Sequence, residues 1–197
     1  MESKYSFDKK TIKSLHFINE IKIFNEIQNS KEVLIFDFRT VLSFRNAYIP
    51  HSLNIPYNSF ELDFFQNYNI EKLLELTENP LTCKMVEKYK RHYIIILISN
   101  EFIRKKHIYD IIANNICEDD SLYELIIKPL VFFETLIKNK VREIGVYNKG
   151  FQSFNTAYQF MVQESFTEST LSNISSYPSE IIEQRIYIGD QSHVYFI

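Results

Sequence analysis

The chain has 197 residues, of which 45% are hydrophobic and 15% aromatic, and its formal net charge is -3 at pH 7. This length and apolar content exclude a disordered chain and are typical of one folded domain with a short tail. The slightly acidic balance argues against nucleic acid as a partner, because nonspecific binding needs many cationic side chains on phosphates. Every apolar run is far shorter than the about 20 residues that cross a bilayer, so no membrane location is expected.

The first half of the chain is predicted to hold a helix, two extended segments and two further helices. Apolar residues at helical spacing predict a helix over residues 17–27. A continuous apolar run predicts a strand over 33–38 that is buried on both faces of a parallel sheet. A shorter extended segment follows at 52–55, and helical spacing returns over 70–76 and 82–90.

The second half begins with the most strand-like segment, residues 93–98 (YIIILI), predicted to be a central strand because runs of Ile pack well on a pleated surface. Further elements are predicted as a helix over 106–114, a helix over 119–138, a strand over 142–147 and a helix over 151–162. Pro129 is predicted to divide the long helix in two. Alternating strands and helices predict an α/β fold, a parallel sheet flanked by helices on both faces.

The two cysteines, Cys83 and Cys117, are spaced neither as a metal site nor as a disulfide framework. Each falls on or beside a predicted helix, where a small packed or surface thiol is expected. The N-terminus has no signal-peptide pattern, so a reducing, cytoplasmic location is predicted. No metal site and no cofactor are expected.

Several motifs point together to one family. Residues 33–39 (VLIFDFR), 44–50 (FRNAYIP) and 52–56 (SLNIP) resemble the rhodanese pattern V-L-I-D-x-R, an aromatic residue, then G-H-I-P-G-A-x-N-I-P. Residues 144–154 (IGVYNKGFQSF) are similar to the family's ending V-x-x-L-x-G-G-F-x-x-F. The resemblance implies a rhodanese-like three-layer fold. The sequence departs from the pattern at Ala47, Tyr48, His51 and Lys149.

In rhodaneses the strand corresponding to residues 93–98 opens into a loop C-x-x-G-x-R, whose amides cradle an anion around a low-pKa thiolate. Here this segment, the 99–104 loop, reads Ser99-Asn100-Glu101-Phe102-Ile103-Arg104. Ser99 stands at the nucleophile position, and a serine hydroxyl does not ionise as a thiol does. The resemblance therefore implies a degenerate loop with no catalytic residue. Two interpretations stay open: a residual anion pocket at Ser99 and Arg104, or, as we favour, a strand-end turn with a solvated arginine.

Asp37 and Arg39 are expected to form an ion pair with a structural role, with Arg45 as a candidate third member. Two basic clusters flank the predicted central strand, and most charge runs of this kind are solvated faces. A binding role is nevertheless weighed for Lys90 and Arg91 before the strand and for Arg104, Lys105 and Lys106 after it.

Rhodanese domains without the cysteine resemble the N-terminal module of mitogen-activated protein kinase phosphatases, which binds kinases through a basic patch. The matching stretch here, residues 59–63 (SFELD), is acidic and aromatic, so docking of the usual kind is doubtful.

The C-terminal tail adds a second resemblance. We expect the rhodanese-like domain to span 1–164, followed by a linker at 165–176 and a tail at 177–197. Within the tail, YPSEII and RIYIG are similar to the opening strand of dual-specificity phosphatase domains. The phosphatase signature H-C-x5-R is absent from these 197 residues. The order of segments resembles kinase phosphatases and the serine/threonine/tyrosine-interacting-like pseudophosphatases. The chain is expected either to be part of a longer protein or to keep this strand as local packing.

Three functional hypotheses follow. The first is a catalytically inactive module that binds a protein partner, such as a kinase, a phosphatase or a multi-subunit assembly, as a scaffold or as the regulatory domain of a (pseudo)phosphatase. The second is a structural subunit of a larger cytoskeletal or ciliary assembly. The third is a divergent sulfurtransferase or phosphatase that uses Cys83 or Cys117.

Overall fold

The computed structural model describes residues 5–8, 13–29, 33–66, 89–114, 119–141, 143–164, 179–182 and 186–188. Its helices are α1 (Glu20–Asn29), α2 (Val41–Asn46), α3 (Leu62–Gln66), α4 (Lys105–Asn114), α5 (Asp120–Lys138) and α6 (Phe151–Ala157). Its strands are β1 (Val33–Asp37), β2 (Ala47–Tyr48), β3 (Ser52–Asn54), β4 (Tyr93–Leu97), β5 (Ile144–Tyr147), β6 (Gln163–Glu164), β7 (Ser179–Ile182) and β8 (Ile186–Ile188). Short 3-10 turns lie at Tyr89–Arg91 and Gln159–Met161. The helix predicted at 70–76, residues 82–88 of the helix predicted at 82–90, the linker, Cys83 and Cys117 lie outside the described residues.

Four described strands form the main sheet in the order β3-β1-β4-β5, and every neighbouring pair is parallel. All residues of β1 and β5 are buried, as are the last four of β4. Strands covered on both faces read as unbroken apolar runs, which is why the pattern YIIILI marked the central strand correctly. The predicted α/β fold with a parallel sheet is confirmed.

The two faces of the sheet carry separate hydrophobic clusters, because successive strand residues point to opposite sides. One cluster contains Leu34, Phe36, Ile94, Ile96 and Val146, packed against residues of α3, α4 and α5. The other contains Val33, Ile35, Ile95, Leu97 and Tyr147, packed against residues of α1 and α6. Helices therefore cover both faces, as predicted.

The prediction that Pro129 divides the long helix is wrong. Helix α5 runs without interruption from Asp120 to Lys138, and Pro129 lies inside it. Proline removes one amide donor and costs about 3 kcal/mol in a helix interior. Every residue from 126 to 136 is buried, and burial of each large apolar side chain contributes roughly 1.5–3 kcal/mol. Packing on the sheet therefore outweighs the local cost.

The first helix begins later than predicted, at Glu20 rather than at residue 17. Phe17 forms a parallel bridge with Val146, and the amide of Ile18 donates to the Val146 carbonyl at 3.1 Å. The free edge of β5 thus holds this segment extended. The last predicted helix is also shorter: α6 ends at Ala157, and a 3-10 turn follows.

Two small sheets complete the described structure. Strand β6 pairs antiparallel with β2, which brings the chain back beside the segment that follows β1. In the tail, β7 and β8 pair antiparallel as a hairpin. In the part of the chain that the structure describes, no helix combines the length and the apolarity that a membrane crossing requires.

Candidate functional site

The carboxyl ends of β1 and β4 lie side by side, since Asp37 is the register partner of Leu97. Open parallel sheets bind ligands outside these ends. Two segments follow there: residues 38–46, including α2, and the 99–104 loop. The candidate site is built from these two segments and from the start of α6.

Asp37 and Arg39 form a buried ion pair at the end of β1. The Nη2 atom of Arg39 lies 2.7 Å from Oδ2 of Asp37, and Nε donates to the same carboxylate at 3.0 Å. Nη2 also donates to the Ala47 carbonyl at 2.8 Å. The side-chain amide of Asn54 donates to the backbone carbonyls of both Asp37 and Arg39 at 2.9 Å. The pair and Asn54 thus tie the residues after β1 to β2 and β3, a structural role.

The electrostatics of this pair follow from its burial. Asp37 has no exposed surface and Arg39 is 2% exposed. Burial raises the pKa of the Asp37 carboxyl, and the Arg39 guanidinium opposes that rise through hydrogen bonds and charge. Arg45 is exposed and forms no ion pair with any described residue. The candidate third member therefore does not belong to the pair.

Ser99 is turned into the protein rather than toward solvent. Its side chain is only 4% exposed, and its hydroxyl donates a hydrogen bond to the carbonyl of Glu101. The hydroxyl proton is therefore engaged within the loop itself. The partner of this hydroxyl is a backbone carbonyl and not an imidazole such as that of His107. In the described residues, the Ser99 hydroxyl donates to this carbonyl and not to a side-chain base of the kind that activates a nucleophilic serine.

The backbone of the 99–104 loop is bound to the start of α6. The amides of Phe151 and Gln152 donate to the carbonyls of Ser99 and Asn100, both at 3.0 Å. Asn148 holds the far end of the loop, because its side-chain amide donates to the carbonyl of Ile103 at 2.6 Å. The loop thus turns two of its carbonyls toward the neighbouring helix.

Gly150 allows this close approach. Its φ is +84°, and a Cβ atom built there would lie 2.4 Å from the carbonyl carbon of Glu101. Only glycine tolerates both the backbone conformation and the contact. The loop and the α6 start are therefore fitted to each other at the backbone level.

Large apolar side chains are exposed along this edge. Phe102 of the loop is 61% exposed, while Leu42 and Val41 of α2 are 71% and 39% exposed. They follow β1 and β4, which are neighbours in the sheet. Sequence patterns did not distinguish these residues from core residues. Their exposure is a property of the folded chain alone.

The predicted basic residues lie at both ends of β4 and are not brought together. Arg104, Lys105 and Lys106 are exposed at the start of α4, and the Nζ atom of Lys105 lies 4.8 Å from the centroid of the Phe17 ring. Lys105 also lines a cavity of about 340 Å³ with Lys22 and Lys149, among others. Lys149 is already paired with Glu20 at 2.8 Å.

The other predicted cluster lies at the amino end of the strand. Lys90 and Arg91 are exposed and line a separate cavity of about 530 Å³. Lys140, which contributes to this cavity, had no sequence signal because it is distant along the chain. Among the described residues, no group of three His, Cys, Asp or Glu side chains could hold a metal ion.

The chain matches no protein-family model, and no curated protein matches it either. Among solved structures, it is similar to the single-domain sulfurtransferase RDL2 of Saccharomyces cerevisiae, with 12% identity and a TM-score of 0.43 over 77% of this chain and 94% of that one. It is also similar to the BH2092 protein of Bacillus halodurans, with 12% identity and a TM-score of 0.40 over 79% and 82% of the two chains. Both TM-scores are below 0.5, so the fold assignment depends on the strand order and register given above.

Proposed function

We propose that this chain is a catalytically silent rhodanese-like domain that binds a protein partner at the carboxyl edge of its sheet. The observation that carries the proposal is the buried Ser99 hydroxyl, which donates to the Glu101 carbonyl. Sulfur transfer needs a thiolate at this position, and a serine with an engaged proton supplies no substitute.

The rhodanese-like assignment is supported by the way the motif residues meet. The D-x-R motif becomes the Asp37–Arg39 pair, and Asn54 of the N-I-P motif bonds to the carbonyls of both residues. His51 replaces the family's glycine but keeps φ at +65°, the left-handed region that glycine favours. The residues of the separate sequence motifs therefore contact one another in the folded chain, which supports the rhodanese-like assignment.

The binding role is supported by the exposed apolar residues. Leu42 and Phe102 project at the edge where parallel sheets recognise ligands, and exposed apolar groups are frequent at protein interfaces. Phe102 has charged neighbours on its own loop, because Glu101 and Arg104 are also exposed. An apolar centre with a charged rim is the usual anatomy of a protein–protein interface.

The first experiment tests whether the chain lacks sulfurtransferase and phosphatase activity. Purified protein is assayed with thiosulfate and cyanide, and separately with p-nitrophenyl phosphate, and we expect no turnover in either assay. Turnover that is abolished by alkylating Cys83 or Cys117 would overturn the proposal and support the divergent-enzyme alternative. Turnover that survives alkylation would also overturn it.

The second experiment tests the binding surface. Partners crosslinked by wild-type protein are compared with those crosslinked by Leu42→Glu and Phe102→Glu, with Tyr109→Ser as the matched control. Tyr109 is 44% exposed but lies on α4. We expect the first two variants to lose a partner that the control retains. Equal recovery by all three variants would count against this surface.

The phosphatase connection is part of the same proposal: the domain acts in the cytoplasm as a scaffold or as the regulatory domain of a (pseudo)phosphatase. The hairpin of β7 and β8 lies where the tail resembles the opening of a dual-specificity phosphatase domain. Sequencing the natural transcript tests whether a phosphatase-like domain follows Ile197. If none follows, this part of the proposal requires a separate phosphatase-related partner. A stable, stoichiometric assembly of other proteins would instead favour the structural-subunit alternative.

A further inference from the structure

A second cavity lies at the amino edge of the sheet, opposite the 99–104 loop. Its volume is about 530 Å³, and it is lined by Lys90, Arg91, His92, Lys140 and Glu143. Lys90 and Arg91 come just before β4, while Lys140 and Glu143 lie between α5 and β5. Among the described residues, three cationic side chains therefore converge from two separate loops against one carboxylate. Cavities of this size are typical of small-ligand sites.

Lys140 has an unusual backbone. Its φ is +63°, and it follows the end of α5. The amide of Val141 donates to the Leu136 carbonyl at 3.1 Å, and the amide of Lys140 donates to the Ile137 carbonyl at 2.9 Å. These two hydrogen bonds define a Schellman motif, whose left-handed residue is usually glycine. Lysine is strained there, because its Cβ atom disfavours this conformation.

The strain places a long cationic side chain at the cavity where a glycine would be more stable. Val141 and Leu136, which flank the motif, are buried in the core, so the position of Lys140 is fixed by packing. The backbone of Lys140 is therefore held beside the cavity by a rigid helix end. Such a cost is expected where a side chain has a task that glycine cannot perform.

We propose that this cavity binds a compact multivalent oxyanion of the phosphate type, with Arg91 and Lys140 as its principal ligands. A guanidinium presents paired donors that match phosphate oxygens, and an ammonium adds a point charge. The negative charge of Glu143 repels the anion and so lowers the affinity of the cavity for it. The proposal is independent of the proposed function, since the cavity and the 99–104 loop lie at opposite ends of β4.

Lys140→Gly provides the sharpest test because stability and binding should change in opposite directions. Removing the strain should raise Tm by about 2–4 °C in a chain of this size. Binding of inorganic pyrophosphate, measured by calorimetry, should weaken roughly three- to tenfold in Lys140→Gly and in Arg91→Gln. Glu143→Gln should bind pyrophosphate more tightly than wild type. Arg45→Gln, a charge-matched control on exposed α2, should bind it as wild type does.

The source of the anion is distinguished by two further probes. Binding of pyrophosphate but not of a short phosphoserine peptide indicates a free anion, whereas binding of both indicates a phosphate carried by a protein. Chemical-shift changes should concentrate at Val141 and Ile144. The proposal is overturned by no pyrophosphate binding at millimolar concentration, by equal affinity in wild type and Lys140→Gly, or by shift changes confined to the 99–104 loop.

Discussion

The guanidinium carbon of Arg39 lies 3.8 Å from the centroid of the Phe151 ring, so the buried ion pair after β1 packs on the first residue of α6. The amide of the same phenylalanine donates to the Ser99 carbonyl at 3.0 Å. Phe151 thus connects the D-x-R motif to the 99–104 loop. A cation stacked on an aromatic face contributes about 0.5–2 kcal/mol, more when both groups are buried.

The first prediction concerns the cost of breaking the Asp37–Arg39 pair. Asp37→Asn leaves a buried guanidinium without its counter-ion and should lower the free energy of unfolding by about 3–5 kcal/mol. Arg39→Gln should cost a similar amount. In the double variant the two costs should not add, because no uncompensated charge remains. Urea unfolding of the four proteins measures this coupling.

Arg39→Lys serves as the control that keeps the charge. Lysine lacks the planar guanidinium, which donates to the Asp37 carboxylate and to the Ala47 carbonyl at the same time. Arg39→Lys should therefore recover only part of the lost stability. Additive costs in the double variant would contradict the idea that Asp37 and Arg39 act as one unit.

The strands of the sheet were predicted from the sequence more accurately than the residues exposed around the candidate site. Buried parallel strands have a strong local signature, which is why the strand at 93–98 could be placed with its central position. The failure at Pro129 has the opposite cause: proline disfavours a helix locally, but eleven consecutive buried residues hold it in one. Local propensity is a weak signal wherever packing opposes it.

The backbone conformation at a substituted motif position also could not be predicted from the sequence. His51 stands where the rhodanese pattern has glycine, and its φ of +65° lies in the left-handed region that glycine favours. Its carbonyl accepts a hydrogen bond from the Ile35 amide at 2.9 Å. Lys140 shows no sequence signal at all, since its role depends on where α5 ends in space. Exposure of Leu42 and Phe102 is likewise invisible to periodicity, because both are ordinary core residue types.

The second prediction is that Gly150→Ala strongly destabilises the fold. The new Cβ atom would meet backbone atoms of Asn100 and Glu101 at 2.4–2.6 Å, and φ at +84° is strained for alanine. Together these effects should cost about 3 kcal/mol or more. Gly145→Ala is the matched control, because there the new atom meets side chains of Tyr93 and Ile18, which can shift. A smaller loss for Gly150→Ala than for Gly145→Ala would contradict this reasoning.

The third prediction concerns pH. Glu134 is buried on α5, where it accepts hydrogen bonds from the Tyr5 hydroxyl and, at 2.7 Å, from the Asp8 amide. Burial alone would raise its pKa, but these bonds and Lys138 outweigh burial and lower the pKa below its usual 4.5. A lowered pKa in the folded state means that the carboxylate stabilises the fold above pH 4.5. That stabilisation is lost as the pH falls through the folded-state pKa.

Glu134→Gln should therefore lower the free energy of unfolding by about 1.5–3 kcal/mol at pH 7, the usual value for hydrogen bonds to a charged group. The difference from wild type should shrink as the pH falls below 4.5. Glu124→Gln is the control, because Glu124 is 59% exposed in its pair with Lys128 and should matter little at either pH. A difference for Glu134→Gln that stays constant between pH 7 and pH 3 would rule out this linkage.

The fourth prediction addresses whether the 99–104 loop can be made reactive by one substitution. Ser99→Cys, in a background with Cys83→Ser and Cys117→Ser, should place the thiol where the hydroxyl lies, 4% exposed and directed at the Glu101 carbonyl. Reactive cysteines need exposure and nearby cations or amides that favour the thiolate. The carbonyls of Ser99 and Asn100 instead point to α6. Reaction with a disulfide reagent at pH 7 should be on the order of a hundredfold slower than for the unfolded chain.

We also expect the variant to show no activity toward thiosulfate, because a thiol is only one part of what rhodanese chemistry requires. Urea-unfolded protein provides the control, since its thiol must react at the rate of a free cysteine. Rapid labelling of the folded variant, together with sulfur transfer to cyanide, would mean that the loop still forms an anion cradle. Ser99 alone would then account for the inactivity that we propose for the natural chain.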